Sequence, residues 1–314
     1  MAVTWVTRTD VSPGTTGSWQ DVDLDTYIGS LPSDVSGVIL QVFNNGATTY
    51  GFGARKNGST DNRTDTIRHH GLHGVYIGVD ADNIFEIQIA NAAIEVYVVG
   101  YMQDADAVWH TNGVNKYVSS GAWTDVDITT DTGGAGAIAC VMEWQGGNQY
   151  GHRQNGSTDN RTTIPQSHMW SMAGCDGDEI TEVYRQSGGV SPYLVGWFLQ
   201  DLTVNNNAVD QSLSSTSTWT NITANASGDG ALVEVVGSGN DFGIRNDGSS
   251  VTDNGHPGGD SHGFIATEMT SDIYEGYITA TDVDFFEILT FDGGDGGGIS
   301  VPVAYHNLQI QGIA

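Results

Sequence analysis

Phe52-Gly53-Ala54-Arg55-Lys56-Asn57-Gly58-Ser59 returns as Tyr150-Gly151-His152-Arg153-Gln154-Asn155-Gly156-Ser157 and again as Phe242-Gly243-Ile244-Arg245-Asn246-Asp247-Gly248-Ser249, at offsets of 98 and 92 residues. A pattern recurring at a near-constant period marks a repeat architecture, in which one supersecondary unit is used several times. The first two copies run on identically as Thr-Asp-Asn-Arg-Thr (60–64 and 158–162), whereas the third reads Ser250-Val251-Thr252-Asp253-Asn254. Asn57-Gly58, Asn155-Gly156 and Asp247-Gly248 hold the same place in each copy, and both residues of such a dipeptide are expected to supply the positive φ angles of a tight hairpin.

Other landmarks keep the same order around this anchor. A Trp opens each copy (Trp19, Trp123, Trp219), and His73, His168 and His262 follow the anchor, each with an aromatic within three residues (Tyr76, Trp170, Phe264). Glu86, Glu182 and Glu275 come next. Between the landmarks the chain reads as short β-branched runs, such as Gly37–Phe43, Ile84–Ile89 and Ile94–Val99, bounded by Gly, Asn, Asp and Ser clusters. No stretch of a dozen residues carries a helical stripe. The fold class expected is all-β: three tandem antiparallel modules of one type, each a β-sandwich or jelly roll. The expected division is 1–105, 106–204 and 205–292, with 293–314 a Gly-rich link and a closing strand segment whose alternating Ile299, Val301, Val303 and Tyr305 suit strand addition in assembly.

Composition narrows the function. Ten Lys and Arg stand against 38 Asp and Glu, a formal charge of −28 in 314 residues, and lysine occurs only at Lys56 and Lys116. Nucleic-acid affinity comes chiefly from Lys and Arg neutralising phosphates, so DNA and RNA are excluded as partners. So acidic a surface repels itself in dilute buffer and is relieved in molar salt, where the Debye length falls to about 3 Å; a halophilic setting is the expectation. Residues 1–8 lack the basic and apolar regions of a signal peptide, and no apolar run reaches the length of a spanning helix, so no membrane insertion is expected and synthesis is placed in the host cytoplasm. Cys140 and Cys175 both fall in the middle copy, which rules out a disulfide shared by all modules and favours two buried thiols.

Candidate chemistry is sparse. No GxSxG, HExxH or P-loop pattern occurs, so no catalytic residue is assigned and no enzyme is expected. The recurring Arg55, Arg153 and Arg245, His73, His168 and His262, and Glu86, Glu182 and Glu275 read instead as a structural network used three times. Asp80-Ala81-Asp82 and Asp176-Gly177-Asp178 place carboxylates close together in loops in a way that would suit Ca²⁺ or Mg²⁺, although solvated surface explains them as well; no cofactor is otherwise expected. Trp109, Trp144 and Trp170 could form a glycan-stacking face or fill the core.

The Arg-x-Asn-Gly-Ser-Thr-Asp-Asn-Arg run at 55–63, its near copy at 153–161 and the Gly- and Asp-rich β-repeats resemble surface-exposed virion proteins of tailed viruses, and the acidity is similar to that of tailed viruses of halophilic archaea. The resemblance implies a capsid turret or decoration protein, or a tail fibre, on the virion surface. It further implies a homo-oligomer in contact with other virion proteins and with a host cell-surface glycoprotein or glycan. A carbohydrate-binding or adhesion protein of a halophile is the alternative.

Overall fold

The computed structural model describes residues 3–103, 106–162, 167–238, 240–251 and 260–292. Module 1 contains β1 (Thr4–Asp10), β2 (Gln20–Asp23), α1 (Leu24–Ile28), β3 (Val35–Asn44), β4 (Tyr50–Lys56), β5 (Asp65–Ile67), β6 (Leu72–Gly78), β7 (Ile84–Ile89) and β8 (Ile94–Gln103). Its two sheets have the orders β1-β8-β3-β6 and β2-β7-β4-β5, all antiparallel. First strand beside last, second beside seventh: this is the wrapping of an eight-stranded jelly roll.

Module 2 repeats it with β9 (Ala107–Asn115), β10 (Trp123–Asp127), α2 (Thr129–Thr132), β11 (Ala139–Gln145), β12 (Tyr150–Gln154), β13 (His168–Gly174), β14 (Ile180–Arg185) and β15 (Ser191–Phe198). Module 3 does so with β16 (Leu202–Asp210), β17 (Thr220–Thr223), β18 (Gly230–Ser238), β19 (Phe242–Asn246), β20 (Asp260–Glu268), β21 (Ile273–Ile278) and β22 (Asp284–Phe291). Among the described residues, the orders β9-β15-β11-β13 with β10-β14-β12, and β16-β22-β18-β20 with β17-β21-β19, match module 1 strand for strand; the positions equivalent to β5 lie outside the described residues. The boundary expected at 204/205 falls inside β16, so the joint lies just before Leu202. The closing segment with Ile299, Val301, Val303 and Tyr305 lies outside the described residues.

Strand alternation supplies the cores. In β7 the pattern half-buried then buried puts Phe85, Ile87 and Ile89 inside, as period two requires of a strand with one face inward. β3 is buried on both faces along its length, because one face meets the sandwich interior and the other meets neighbouring modules. One apolar cluster therefore runs from module 1 through module 2 into Leu232, Phe264, Leu289 and Phe291 of module 3, and the interior of module 3 in turn takes up Phe43 and Leu72 of module 1. Among the described residues no helix is long and apolar enough to cross a membrane.

The modules close on one another. The equivalent strands β6, β13 and β20 pack together at the centre. A residue of each module's first strand covers the preceding module in cyclic order: Trp109 lies on Gly37 and Gly78, Val204 on Gly174, and Trp5 on Gly230. Gly37 and Gly78 face each other in register, and Trp5, Trp109 and Val204 occupy the same ladder position. The chain is thus a pseudo-threefold ring of jelly rolls made by a single polypeptide.

Candidate functional site

The Arg and Glu of the repeat pair in register: Arg55 opposite Glu86, Arg153 opposite Glu182, and Arg245 opposite Glu275. Each guanidinium donates from Nε to its carboxylate, at 2.8, 2.9 and 2.7 Å. Each also stacks on the Trp that opens its module, 4.1 Å above Trp19, 4.1 Å above Trp123 and 3.9 Å above Trp219. A third arm reaches the backbone six residues ahead, the carbonyls of Asp61, Asp159 and Val251. Planar, delocalised and always charged, Arg alone can stack and fork in this way. The trio pins the loop after the anchor onto one sheet.

That loop begins with a turn. Gly58, Gly156 and Gly248 have φ of 79°, 78° and 73°, whereas Asn57, Asn155 and Asp247 keep negative φ. The dipeptide is therefore a one-glycine turn, closed by Ser59, Ser157 and Ser249 donating back to residues 56, 154 and 246, rather than a hairpin corner with two positive angles. The side chains of Asn57 and Asn155 reach further, donating to Asp80 and Asp176 respectively, each at 2.6 Å. Asp80 also accepts from the amides of Asp82 and Ile84, and Asp176 from those of Asp178 and Ile180. These carboxylates close their own loops by accepting backbone amides. Asp82 and Asp178 contribute backbone amides to those closures.

The loops end on the next module. Ser59 and Thr60 both donate to Asn112 of β9, at 2.9 and 2.8 Å, and Asp61 accepts the Gly113 amide at 2.7 Å. Arg63 then crosses into module 2, bonding Glu143 at 2.6 Å and lying 4.2 Å over the Tyr193 ring. At the second joint Ser157 and Thr158 donate to Asn207 of β16, Asp159 accepts the Ala208 amide, and Arg161 bonds Glu234 at 2.6 Å and stacks 4.4 Å over Phe286. Glu143 is 2 % exposed. Burial alone would raise its pKa, but hydrogen bonds from His168 and Arg63 outweigh it and hold the carboxyl below its ordinary value. For Arg63 burial pulls the pKa down, and the carboxylates of Glu143 and Asp61 overcome it and push the value up.

The histidines part company. His168 faces the Phe52 carbonyl at 2.8 Å with Nδ1 and Glu143 at 2.8 Å with Nε2, so it couples joint and centre. His73 is 3 % exposed, and neither ring nitrogen has a hydrogen-bond partner. Burial, then the neighbouring His168, lower its pKa to about 3. The ladder shows why: His73 lies opposite Val42, whereas His168 lies opposite Gln145 and His262 opposite Val236, the position held in module 1 by Leu72. His73 is one residue out of step with the other two, which puts it on the opposite face. Trp109, Trp144 and Trp170 are all buried, so none forms a glycan-stacking face. Cys140 and Cys175 are buried thiols.

The residues that sequence reasoning missed are the joint-formers Asp61, Arg63, Asn112 and Glu143 and their counterparts Asp159, Arg161, Asn207 and Glu234. A signal was present: identity of the first two copies beyond the turn exceeds what a turn needs. At each of these joints lies a crevice, of about 20 Å³ beside Arg63 and His110 and about 10 Å³ beside Arg161 and Asn205. Neither has room for more than about one water molecule.

No protein-family model matches the chain, and no curated protein matches it in sequence. Among solved structures it is similar to a chain described under "Life in the extremes: atomic structure of Sulfolobus Turreted Icosahedral Virus", with TM-score 0.26, 11 % identity and coverage of 93 % of this chain and 92 % of that one. A second, described under "The Triple Jelly Roll Fold and Turret Assembly in an Archaeal Virus", has TM-score 0.25, 11 % identity and coverage of 93 % and 91 %.

Proposed function

We propose that this chain is a non-enzymatic virion structural protein displayed on the particle exterior, as a capsid turret or decoration. One observation carries the reading: the arginines and glutamates of the repeat and of the loops that follow it are taken up in pairs that pin those loops or join modules, and the crevices at the joints have room for about one water molecule. Jelly rolls serve both as capsid and as lectin domains, so the fold alone is an analogy. Against a lectin, no indole among the described residues is exposed, and the large exposed hydrophobics there are Tyr27 and Tyr117. A stiff block with a strongly acidic surface suits display on a particle, while residues 299–314 would supply the attachment, to further copies or to other virion proteins. Mass spectrometry and immunogold labelling of gradient-purified particles from the source culture test this. Labelling at fixed stoichiometry on the particle outside is expected; recovery only in the particle-free fraction, or specific elution from a glycan column, would overturn it.

A further inference from the structure

In modules 2 and 3 a buried glutamate, an aromatic ring and a small first-strand residue together receive an arginine from the preceding module. The ladder registers place Glu143, Tyr193 and Gly113 in module 2 at the positions of Glu234, Phe286 and Ala208 in module 3. The corresponding residues of module 1 are Gln41, Tyr97 and Arg8. There the guanidinium of Arg8 lies 3.4 Å over the Tyr97 ring, as Arg63 lies over Tyr193 and Arg161 over Phe286. A Cβ on Gly113 would stand 2.7 Å from Arg63 Nη2, so the small residue makes way for the visitor. Module 1 fills the same space from its own strand.

The rest of the chain agrees. Residues 249–254, Ser-Ser-Val-Thr-Asp-Asn, offer no arginine to module 1, and the residue at the glutamate's position there is the uncharged Gln41. Wrong pairings are penalised twice over. An Arg63- or Arg161-type loop on module 1 would meet Arg8 in occupied space with like charge, and an arginine-free loop on module 2 or 3 would leave a buried carboxylate short of its counter-charge.

We infer that every module carries one guanidinium pocket on its joint surface, filled in trans in modules 2 and 3 and in cis in module 1, and that the source of the arginine determines which module can follow which. The partner this surface fits is therefore the Asp-Asn-Arg loop of the preceding module. The test transplants the module 1 arrangement into module 2 of the full chain and follows hydrogen exchange of the Thr60 and residue-113 amides, which bond across the joint. Arg63→Gln is expected to speed both by about a hundredfold, as loss of a buried partner does. Adding Gly113→Arg to that variant is expected to restore both to within about tenfold of the parent, since the new arginine can reach Glu143 and Tyr193 from its own strand. Gly113→Arg with Arg63 retained is expected to be as damaging as Arg63→Gln. A double variant no slower to exchange than Arg63→Gln, or a silent Gly113→Arg, would overturn the inference. Should these variants fail to fold, Arg161→Gln with Ala208→Arg repeats the test at the other joint, with the same two outcomes.

Discussion

The indole of Trp109 in module 2 covers Gly37 of module 1 so closely that a Cβ on Gly37 would overlap its pyrrole edge. The contact explains a glycine in the middle of an otherwise β-branched strand, where backbone freedom is not required. Gly37→Ala is expected to cost about 1–3 kcal/mol, as overpacking a filled core does. Chemical denaturation checks this, and Trp109→Val should recover part of the loss, because Val is what module 3 places at the same position in Val204.

The Trp-Arg-Glu stack inside each module should behave as a unit. Arg153→Met would leave Glu182 without its partner in a setting where both side chains are mostly buried, and a loss of about 2 kcal/mol in unfolding free energy is expected after discounting for partial exposure. Glu182→Gln in the same background should restore some of it, since replacing both partners is cheaper than orphaning one. A strictly additive double variant would show that the pair is not coupled.

Acid should weaken the protein through His73 and Glu143 together. His73 has a folded-state pKa near 3 against about 6.5 unfolded, so the unfolded chain alone binds its proton between those values. Stability then falls with pH below about 6.5, by about 1.4 kcal/mol per unit once well inside the window. Glu143 is held below its ordinary value, so its contribution is present above the unfolded pKa and is lost as pH drops beneath it. His73→Leu is expected to flatten the limb between about pH 6 and 4 and to leave neutral stability equal or higher, because no hydrogen bond is lost. Melting curves across that range decide.

Salt should act in the opposite sense to its usual effect on ion pairs. The joint and stack pairs are buried and poorly screened, while the −28 surface is exposed to screening. The melting temperature is expected to rise from about 0.1 M to about 3 M NaCl; a flat or falling curve would remove the halophilic expectation.

Both thiols are expected to be silent toward a thiol reagent in the native state and to titrate as two on unfolding. Cys140 and Cys175 are buried, and Cys140 sits in a closed polar cluster with His152 and, through it, Ser171 and Thr181. Rapid native labelling would contradict this burial.

How far the sequence reached follows from the range of the forces involved. Composition showed a strongly acidic chain, and repetition of the anchor revealed three like modules. Period-two alternation in runs such as Ile84–Ile89 marked strands with one face inward, and Gly58, Gly156 and Gly248 were legible as turn residues because positive φ is a local steric demand. The Arg and Glu of the repeat could be grouped because they recur, though their direct pairing across β4 and β7 had to be seen. Other features were decided only by the tertiary structure. His73 looked like its counterparts in order, but order along the chain is blind to a one-residue slip, and such a slip reverses the face of a strand. The role of Asp80 and Asp176 in closing their loops, by accepting backbone amides two and four residues ahead, was likewise visible only in the structure. Arg63 finds Glu143 across 80 residues of sequence and Arg161 finds Glu234 across 73, and no local periodicity links such partners. The sequence determined the modules, since each is built from short-range backbone preferences and alternation; the ring, its joints and the source of each arginine were decided by packing between surfaces that meet only once the modules have folded.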